Sequence, residues 1–268
     1  MLYNVPPQSW AGLEIGEPLN RTFNHDEGLI RPMKGKTDPD LGPDVIMAMI
    51  SSDLDLLAKT SQAQKVEHSH MALYDVYRIE DGLEGSFSLS GPFLGAPQAV
   101  MGMEKLIALG VQRIWVLGWC GSLQPGLCIG DLVLPTTAIS EEGTSQHYPV
   151  AEKIPRADEA LCQMLDDALK KKEQSFVRGT VWTTDAPYRE TPAKVKTYQE
   201  KGILAVEMEM SALMTLAMYR AVRLSGLLVV SDELFDLKWH SGFKSPKLRK
   251  TSRVAVKVLL DLVKSMNS

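Results

Sequence analysis

The chain has 268 residues, 44% hydrophobic and 23% charged, which is ordinary globular composition and enough length for one large α/β domain. Its 29 Lys and Arg stand against 33 Asp and Glu, a formal net charge of −4, so neither a nucleic-acid-binding nor a membrane-binding surface is indicated and a small-molecule partner fits better. No apolar run reaches the roughly 18–20 residues that span a bilayer, and the opening MLYNVPPQSW lacks the basic and apolar regions of a signal peptide, so a cytoplasmic location is expected. Three cysteines, Cys120, Cys128 and Cys162, form neither a disulfide framework nor a CxxC zinc pair. His68 and His70 form an isolated HxH without an obvious third ligand, so no metal is expected.

In chain order, residues 1–43 are rich in Pro, Gly, Asn and charge and read as an irregular arm, followed by an α/β domain over 44–268. VIMAMI (45–50) reads as a buried strand, MALYDVYRI (71–79) and SFSLSG (86–91) as two strands of a β ribbon, and GAPQAVMGMEKLIALG (95–110) as a helix. The strand RIWVLGW (113–119) leads into a turn at Cys120-Gly121-Ser122, and DLVLPTTAI (131–139) forms the next strand before an acidic loop at 141–148. DEALCQMLDDALKKK (158–172) is amphipathic and ends in lysines suited to a helix carboxyl terminus. Then come the strand SFVRGTVWTT (175–184), a loop at 185–191, the helix PAKVKTYQEKG (192–202), the strand ILAVEME (203–209), the helix MSALMTLAMYRAV (210–222), the strand SGLLVVSDE (225–233) and a closing helix from about Pro246 to Met266. This order, β-rich at the front and βα alternating behind, implies a single α/β domain with a mixed central sheet flanked by helices.

Three carboxylates stand at the ends of these apolar elements. Alternation in ILAVEME puts Glu207 and Glu209 on one face of a strand, where two nearby carboxylates repel unless a ligand or cation stabilises them. Asp232 follows an all-apolar strand at its carboxyl end, where open parallel sheets bind ligands; Ser-Asp is equally capping chemistry. Polar clusters at Trp119 to Ser122, Thr183 to Arg189, Glu207 to Glu209 and Ser231 to Asp232 outline one pocket if those strand ends converge. GPFLGAP (91–97) places Gly91 and Gly95 before a helix, as an anion site or as a plain chain reversal. Neither a GxGxxG fingerprint nor a GxxxxGK[ST] phosphate loop occurs.

The ordered set GxxxGxP before a helix (Gly91, Gly95, Pro97), GxxGS with a following GD (Gly118, Gly121, Ser122, Gly130, Asp131), VEME (206–209) and SDE (231–233) resembles the nucleoside phosphorylase superfamily over roughly residues 45–264. The resemblance implies that Met208 and Glu209 bind ribose with Glu207 beside them. It implies that Cys120 and Gly121 line the base, that Tyr188 stacks on it with Arg189 nearby, and that Asp232 is the acid that protonates a purine leaving group. It implies a homo-oligomer, a dimer or trimer of dimers, acting on nucleoside and phosphate with no cofactor. Relatives that bind phosphate use a Gly-Asp-Pro-x-Arg turn after the first strand and an arginine before the GxxG turn. Here those places hold Ile50-Ser51-Ser52-Asp53-Leu54-Asp55 and Val116, and Trp119 stands where a small hydroxyl residue is usual, filling space near phosphate or sugar. The nucleophile side is therefore assigned to Ser52 (or Ser51), Asp53, Gly91, Gly95 and Trp119. The expected activity is phosphorolysis of a purine nucleoside to free base and ribose 1-phosphate. The alternatives are a nucleosidase with Asp53 or Asp55 as base for water, and a non-catalytic nucleoside-binding protein.

Overall fold

A computed structural model describes residues 28–66, 73–81 and 84–267 of the chain. The HxH pair and most of the expected arm lie outside the described residues. The elements run β1 (Asp44–Ala48), α1 (Ser51–Ser61), β2 (Gln64–Lys65), β3 (Asp75–Asp81), β4 (Glu84–Gly91), α2 (Ala96–Ala108), β5 (Arg113–Ser122) and β6 (Leu132–Glu141). They continue through α3 (Glu159–Lys171), β7 (Phe176–Thr184), α4 (Pro192–Glu200), β8 (Ala205–Glu207), α5 (Met210–Arg220), β9 (Arg223–Glu233), β10 (His240–Ser241) and α6 (Pro246–Asn267).

All ten strands belong to one mixed sheet. β1 is parallel to both β5 and β4, so its five residues DVIMA are buried on both faces and carry no polar alternation. Five strands then close on themselves: β5 pairs with β9, β9 with β6, β6 with β7, β7 with β8, and β8 returns to β5. Helices α2 and α5 pack together, whereas α1, α3 and α6 form a second group laid over β4, β5, β6 and β9. The result is the α/β mixed sheet flanked by helices that the element order implies.

Local chemistry explains the ends of these elements. In α3, Leu161, Cys162, Leu165 and Leu169 are buried along one stripe, the Asp158 side chain accepts from the Leu161 amide at 2.9 Å, and Lys170 and Lys171 sit in the last turn. Each fully buried leucine on such a stripe contributes about 1.5–3 kcal/mol. Asp44, fully buried at the start of β1, accepts from Arg113 Nε at 2.8 Å, Trp115 Nε1 at 3.0 Å and Asn267 Nδ2 at 3.0 Å, so its charge is met on every side and ties β1 to β5 and the end of α6. Residues 32–43 belong to the same compact unit as the sheet. Lys105 of α2 donates to Asp38 at 2.5 Å and to the Met33 carbonyl at 2.6 Å, and Leu41 is fully buried.

Two local expectations change, and one element is new. α1 is a helix over Ser51–Ser61, a segment without a clear apolar period. β5 continues through Cys120-Gly121-Ser122, where a turn is expected; a register shift between Cys120 and Gly121 takes up the bend while pairing with β9 persists. β8 is only three residues long and stops at Glu207, so Glu209 is not a strand residue. Among the described residues, no helix is long and apolar enough to cross a membrane.

Candidate active site

The register of three strands brings the polar clusters together. Gly121 on β5 stands opposite Asp232 of β9 on one side and Val206 of β8 on the other, and Thr183 of β7 stands opposite Glu207. Gly121 lets neighbouring side chains come close, since a Cβ there would lie 2.6 Å from Leu234 Cδ1 and 3.0 Å from Asp232 Oδ2 and would push both aside. Cys120, beside it, is buried, and its thiol is pushed well up by burial and by the nearby Asp232 and Glu207 charges, which leaves it uncharged.

Glu207 and Glu209 share the site without sharing a strand face. After Glu207 the chain turns, Glu209 takes the position preceding α5 with φ −136° and ψ −33°, and the two amides that open the helix fold back on Glu207. Glu207 Oε2 accepts from the Glu209 amide and the Met210 amide, each at 2.7 Å, and Oε1 accepts from the Thr183 hydroxyl. Thr183 in turn accepts from the Ser211 amide at 2.9 Å, and the Ser211 hydroxyl donates to Glu142 at 2.9 Å. Glu207 is thus the anchor of the α5 amino end.

Glu209 accepts from the Gly95 amide at 2.7 Å through Oε1, and the Met208 amide also lies close enough to favour its charged form. Burial first, then the charge of Glu207, pushes the Glu209 carboxyl up; burial also raises Glu207, opposed by Thr183 and the two amides. The three donors on Glu207 make it the ionised partner and Glu209 the one that holds a proton. The Gly95 amide, which its position before α2 offers to an anion, is taken instead by the chain's own Glu209 carboxyl. Gly91, at φ 149°, serves close packing, since a Cβ there would lie 2.3 Å from the Ala48 carbonyl oxygen.

At the end of β9, Asp232 accepts from the Ser231 hydroxyl at 2.6 Å on Oδ1 and from the Trp239 indole at 3.0 Å on Oδ2. Burial raises its carboxyl and these two donors oppose the rise. Glu190, which sequence reasoning passed over, is half-buried and pushed up to about 7 by burial and by the charge of Asp232. Its position before the Thr191 cap of α4 looks like ordinary helix-end charge, so only the fold reveals that it faces Asp232.

The nucleophile-side residues are less unified. Ser51, Ser52 and Asp55 are exposed, whereas Asp53 is 2% exposed. Burial raises Asp53 to about 6, and Trp119 and Ser252 lie near enough to pull it partly back. Yet Asp53 Oδ2, Trp119 Nε1 and Ser252 Oγ are all buried without a hydrogen bond of acceptable geometry. Trp119 stacks on Phe243 with ring centroids 5.9 Å apart. Met208 is half-buried beside Glu209, while Tyr188 and Arg189 project into solvent, Tyr188 with its whole side chain exposed. Among the described residues no group of three or more His, Cys, Asp and Glu side chains is placed to hold a metal. A cavity of about 550 Å³ bounded by Thr136, Arg156, Asp158 and Met218 includes none of these site residues.

Comparison with known proteins places this geometry. The family model described as "Phosphorylase superfamily" matches residues 44–266. A guanosine phosphorylase of Halorubrum lacusprofundi is 30% identical over 190 residues, 70% of this chain and 73% of the relative. A DeoD-type purine nucleoside phosphorylase of Bacillus cytotoxicus is 33% identical over 150 residues, 55% of this chain and 64% of the relative. In fold, the chain resembles a purine nucleoside phosphorylase from Toxoplasma gondii solved with immucillin-H, at TM-score 0.76 and 24% identity, covering 85% of this chain and 92% of that one. A Plasmodium knowlesi homologue of the P. falciparum enzyme matches at TM-score 0.72 and 21% identity over 89% and 96% of the two chains. The chain belongs to the phosphorylase superfamily, that of the nucleoside phosphorylases, and is an enzyme of the pentosyltransferase class.

Proposed function

We propose that this enzyme cleaves the N-glycosidic bond of a purine nucleoside with phosphate, releasing the free base and ribose 1-phosphate. The observation that carries the reading is the placement of two protonatable carboxyls at strands that meet on Gly121: Asp232 of β9 stands opposite it, and Glu209 heads α5 two residues beyond β8, whose Val206 pairs with the same glycine. Cleavage builds oxocarbenium character on the ribose and negative charge on the departing base. The Glu209 carboxyl is the group offered to the sugar hydroxyls, with Met208 against the ring. Protonated Asp232 donates to the purine N7 as the C1′–N9 bond breaks, and its own proton returns from the hydroxyl of the attacking phosphate through solvent. A pyrimidine lacks that nitrogen. Glu190 beside Asp232 adds a second acceptor at the base end, which suits the N–H donors of a 6-oxopurine edge. The names of the sequence relatives support phosphate as acceptor.

A second reading, hydrolysis by water with Asp53 as base, is favoured by one observation: the Gly95 amide is engaged by Glu209, and among the described residues no Lys or Arg hydrogen-bonds Glu209, Asp232 or Asp53. A homo-oligomer answers the same shortage, because the exposed Arg189 of one copy is available to another. The deciding experiment incubates purified protein with inosine, guanosine, adenosine and uridine, with and without phosphate, and identifies the sugar released. Ribose 1-phosphate formed only with phosphate is the expected result. Free ribose at an unchanged rate without phosphate overturns the phosphorylase reading, and no cleavage of any nucleoside leaves a binding protein.

A further inference from the structure

The segment between β9 and α6 folds back over Asp232. Residues His240 and Ser241 pair antiparallel with Glu233 and Asp232, and the Gly242 amide donates to the Ser231 carbonyl at 2.8 Å. A Cβ on Gly242 would meet that carbonyl oxygen at 2.5 Å, so the return strand lies hard against β9. Phe243 stacks on Trp119, and Trp239 stands edge-on to Phe243 with centroids 6.0 Å apart at 63°. This aromatic row holds the Trp239 indole, 62% exposed, with its N–H on Asp232 Oδ2. An indole so exposed has water available for its N–H, yet it is directed to an acid at the base end of the pocket.

We propose that Trp239 is a positioning residue for the leaving-group acid: its N–H fixes Asp232 Oδ2 and stabilises the carboxylate left when the proton passes to the purine. The inference rests on the assignment of Asp232 as the acid in the proposed reaction. Before transfer the acid is neutral, and the indole is hydrogen-bonded to an uncharged oxygen. After transfer the same N–H meets a full negative charge, so the bond strengthens along the reaction. Two acids near Asp232 oppose its ionisation, Glu190 from the segment before α4 and Glu233 on β9 itself, while the Cys120 thiol on β5 stays uncharged beside it. On the return strand, His240 is taken up by Asp236 at 2.8 Å. Trp239 and Ser231 are the two donors that offset them.

The test is Trp239→Phe, which keeps an aromatic ring next to Phe243 and removes the N–H together with part of the indole's bulk, so the comparison of two substrates separates the lost hydrogen bond from lost packing. Rates are compared on inosine and on 7-methylinosine, whose base is already cationic and departs without a proton from the enzyme. The expected result is an about tenfold lower kcat on inosine with 7-methylinosine unchanged, the scale of one hydrogen bond to a charged group. Because the indole favours the ionised acid, its loss also moves the alkaline limb of kcat for inosine up by roughly half to one pH unit. An equal loss on both substrates with an unmoved limb means that Trp239 merely packs the segment, and this overturns the proposal, as does an unchanged inosine rate. Wild-type protein that cleaves neither nucleoside overturns the proposed reaction itself, and the positioning role falls with it.

Discussion

The amino ends of α5 and α1 invite comparison, since each follows a strand of the same sheet and each carries a buried acid. At α5, Glu207 gathers two amides and a hydroxyl, and Glu209 gathers a third amide from the start of α2. At α1, the position before the helix is Ile50, which has no side chain able to cap, and the amides of Asp53 and Leu54 turn to the Ile50 carbonyl instead. Asp53 is left with an Oδ2 that no donor reaches. The α5 side is a set of carboxyls held in place by donors that the chain supplies as it doubles back. The α1 side is a buried carboxyl near an indole and a hydroxyl that offset its burial in part without forming a well-directed hydrogen bond. A buried polar group left unpaired costs about 1–3 kcal/mol, so the second arrangement persists against a penalty that the first avoids. Function is therefore assigned with most force where the donors are ordered, at Glu209 and Asp232.

The largest effect that tests this contrast is on rate. Asp232→Asn keeps the shape and one oxygen to accept from the Trp239 indole, turns an NH2 toward Ser231, and cannot protonate a leaving base. Its kcat on purine nucleosides is expected to fall about 10²–10⁴-fold, the range for loss of a general acid. Steady-state rates at saturating phosphate measure it, and a loss below tenfold would remove Asp232 from the chemistry.

A smaller effect comes from Glu190, read as stability. Its carboxyl lies at about 7 in the folded chain against an ordinary 4.5. Below pH 4.5 both folded and unfolded states are protonated and the group contributes nothing. Between 4.5 and about 7 the unfolded chain releases the proton while the folded chain keeps it, so stability falls as pH rises and levels off above 7. Glu190→Gln removes that penalty: denaturant unfolding is expected to match wild type at pH 4 and to show the variant more stable by about 1–3 kcal/mol at pH 8. A difference independent of pH would mean that neither burial nor the Asp232 charge raises the Glu190 carboxyl.

Much of the ordered side was readable in the sequence, because apolar strands that end in carboxylates announce themselves by pattern. What pattern could not reveal is how Glu209 reaches the site. Strand alternation put it beside Glu207 on one face, whereas β8 ends at Glu207 and the two carboxyls meet because the chain turns into α5. α1 escaped notice because its buried residues are only Asp53, Leu54 and Leu57, too short an apolar face to stand out, and one of the three is an acid. Glu190 and Trp239 escaped because each sits in a connection whose path depends on tertiary packing. The run FDLKWHSGF (235–243) holds three aromatic residues in a loop, and that density was the one sign available that the loop folds back on the protein.

The finest test of the contrast is Asp53→Asn. Asp53 lies at about 6 against an ordinary 3.8, with burial as the first cause, so its sign matches that of Glu190 over a lower window. Wild-type stability is unaffected by this group below pH 3.8, declines between 3.8 and about 6, and is level above that, because the folded state holds the proton longer than the unfolded chain. Asparagine fills the same space without a charge to desolvate. The variant is expected to equal wild type near pH 3.5 and to gain about 1–2 kcal/mol at pH 7, with thermal denaturation across that range as the measurement. Activity supplies the second arm. If Asp53 is only an acid buried beside Trp119 and Ser252, the gain comes with purine cleavage retained. A loss of about a hundredfold or more alongside the gain would give Asp53 the general-base role instead. The α1 side would then be the seat of a water nucleophile, its strain kept for chemistry.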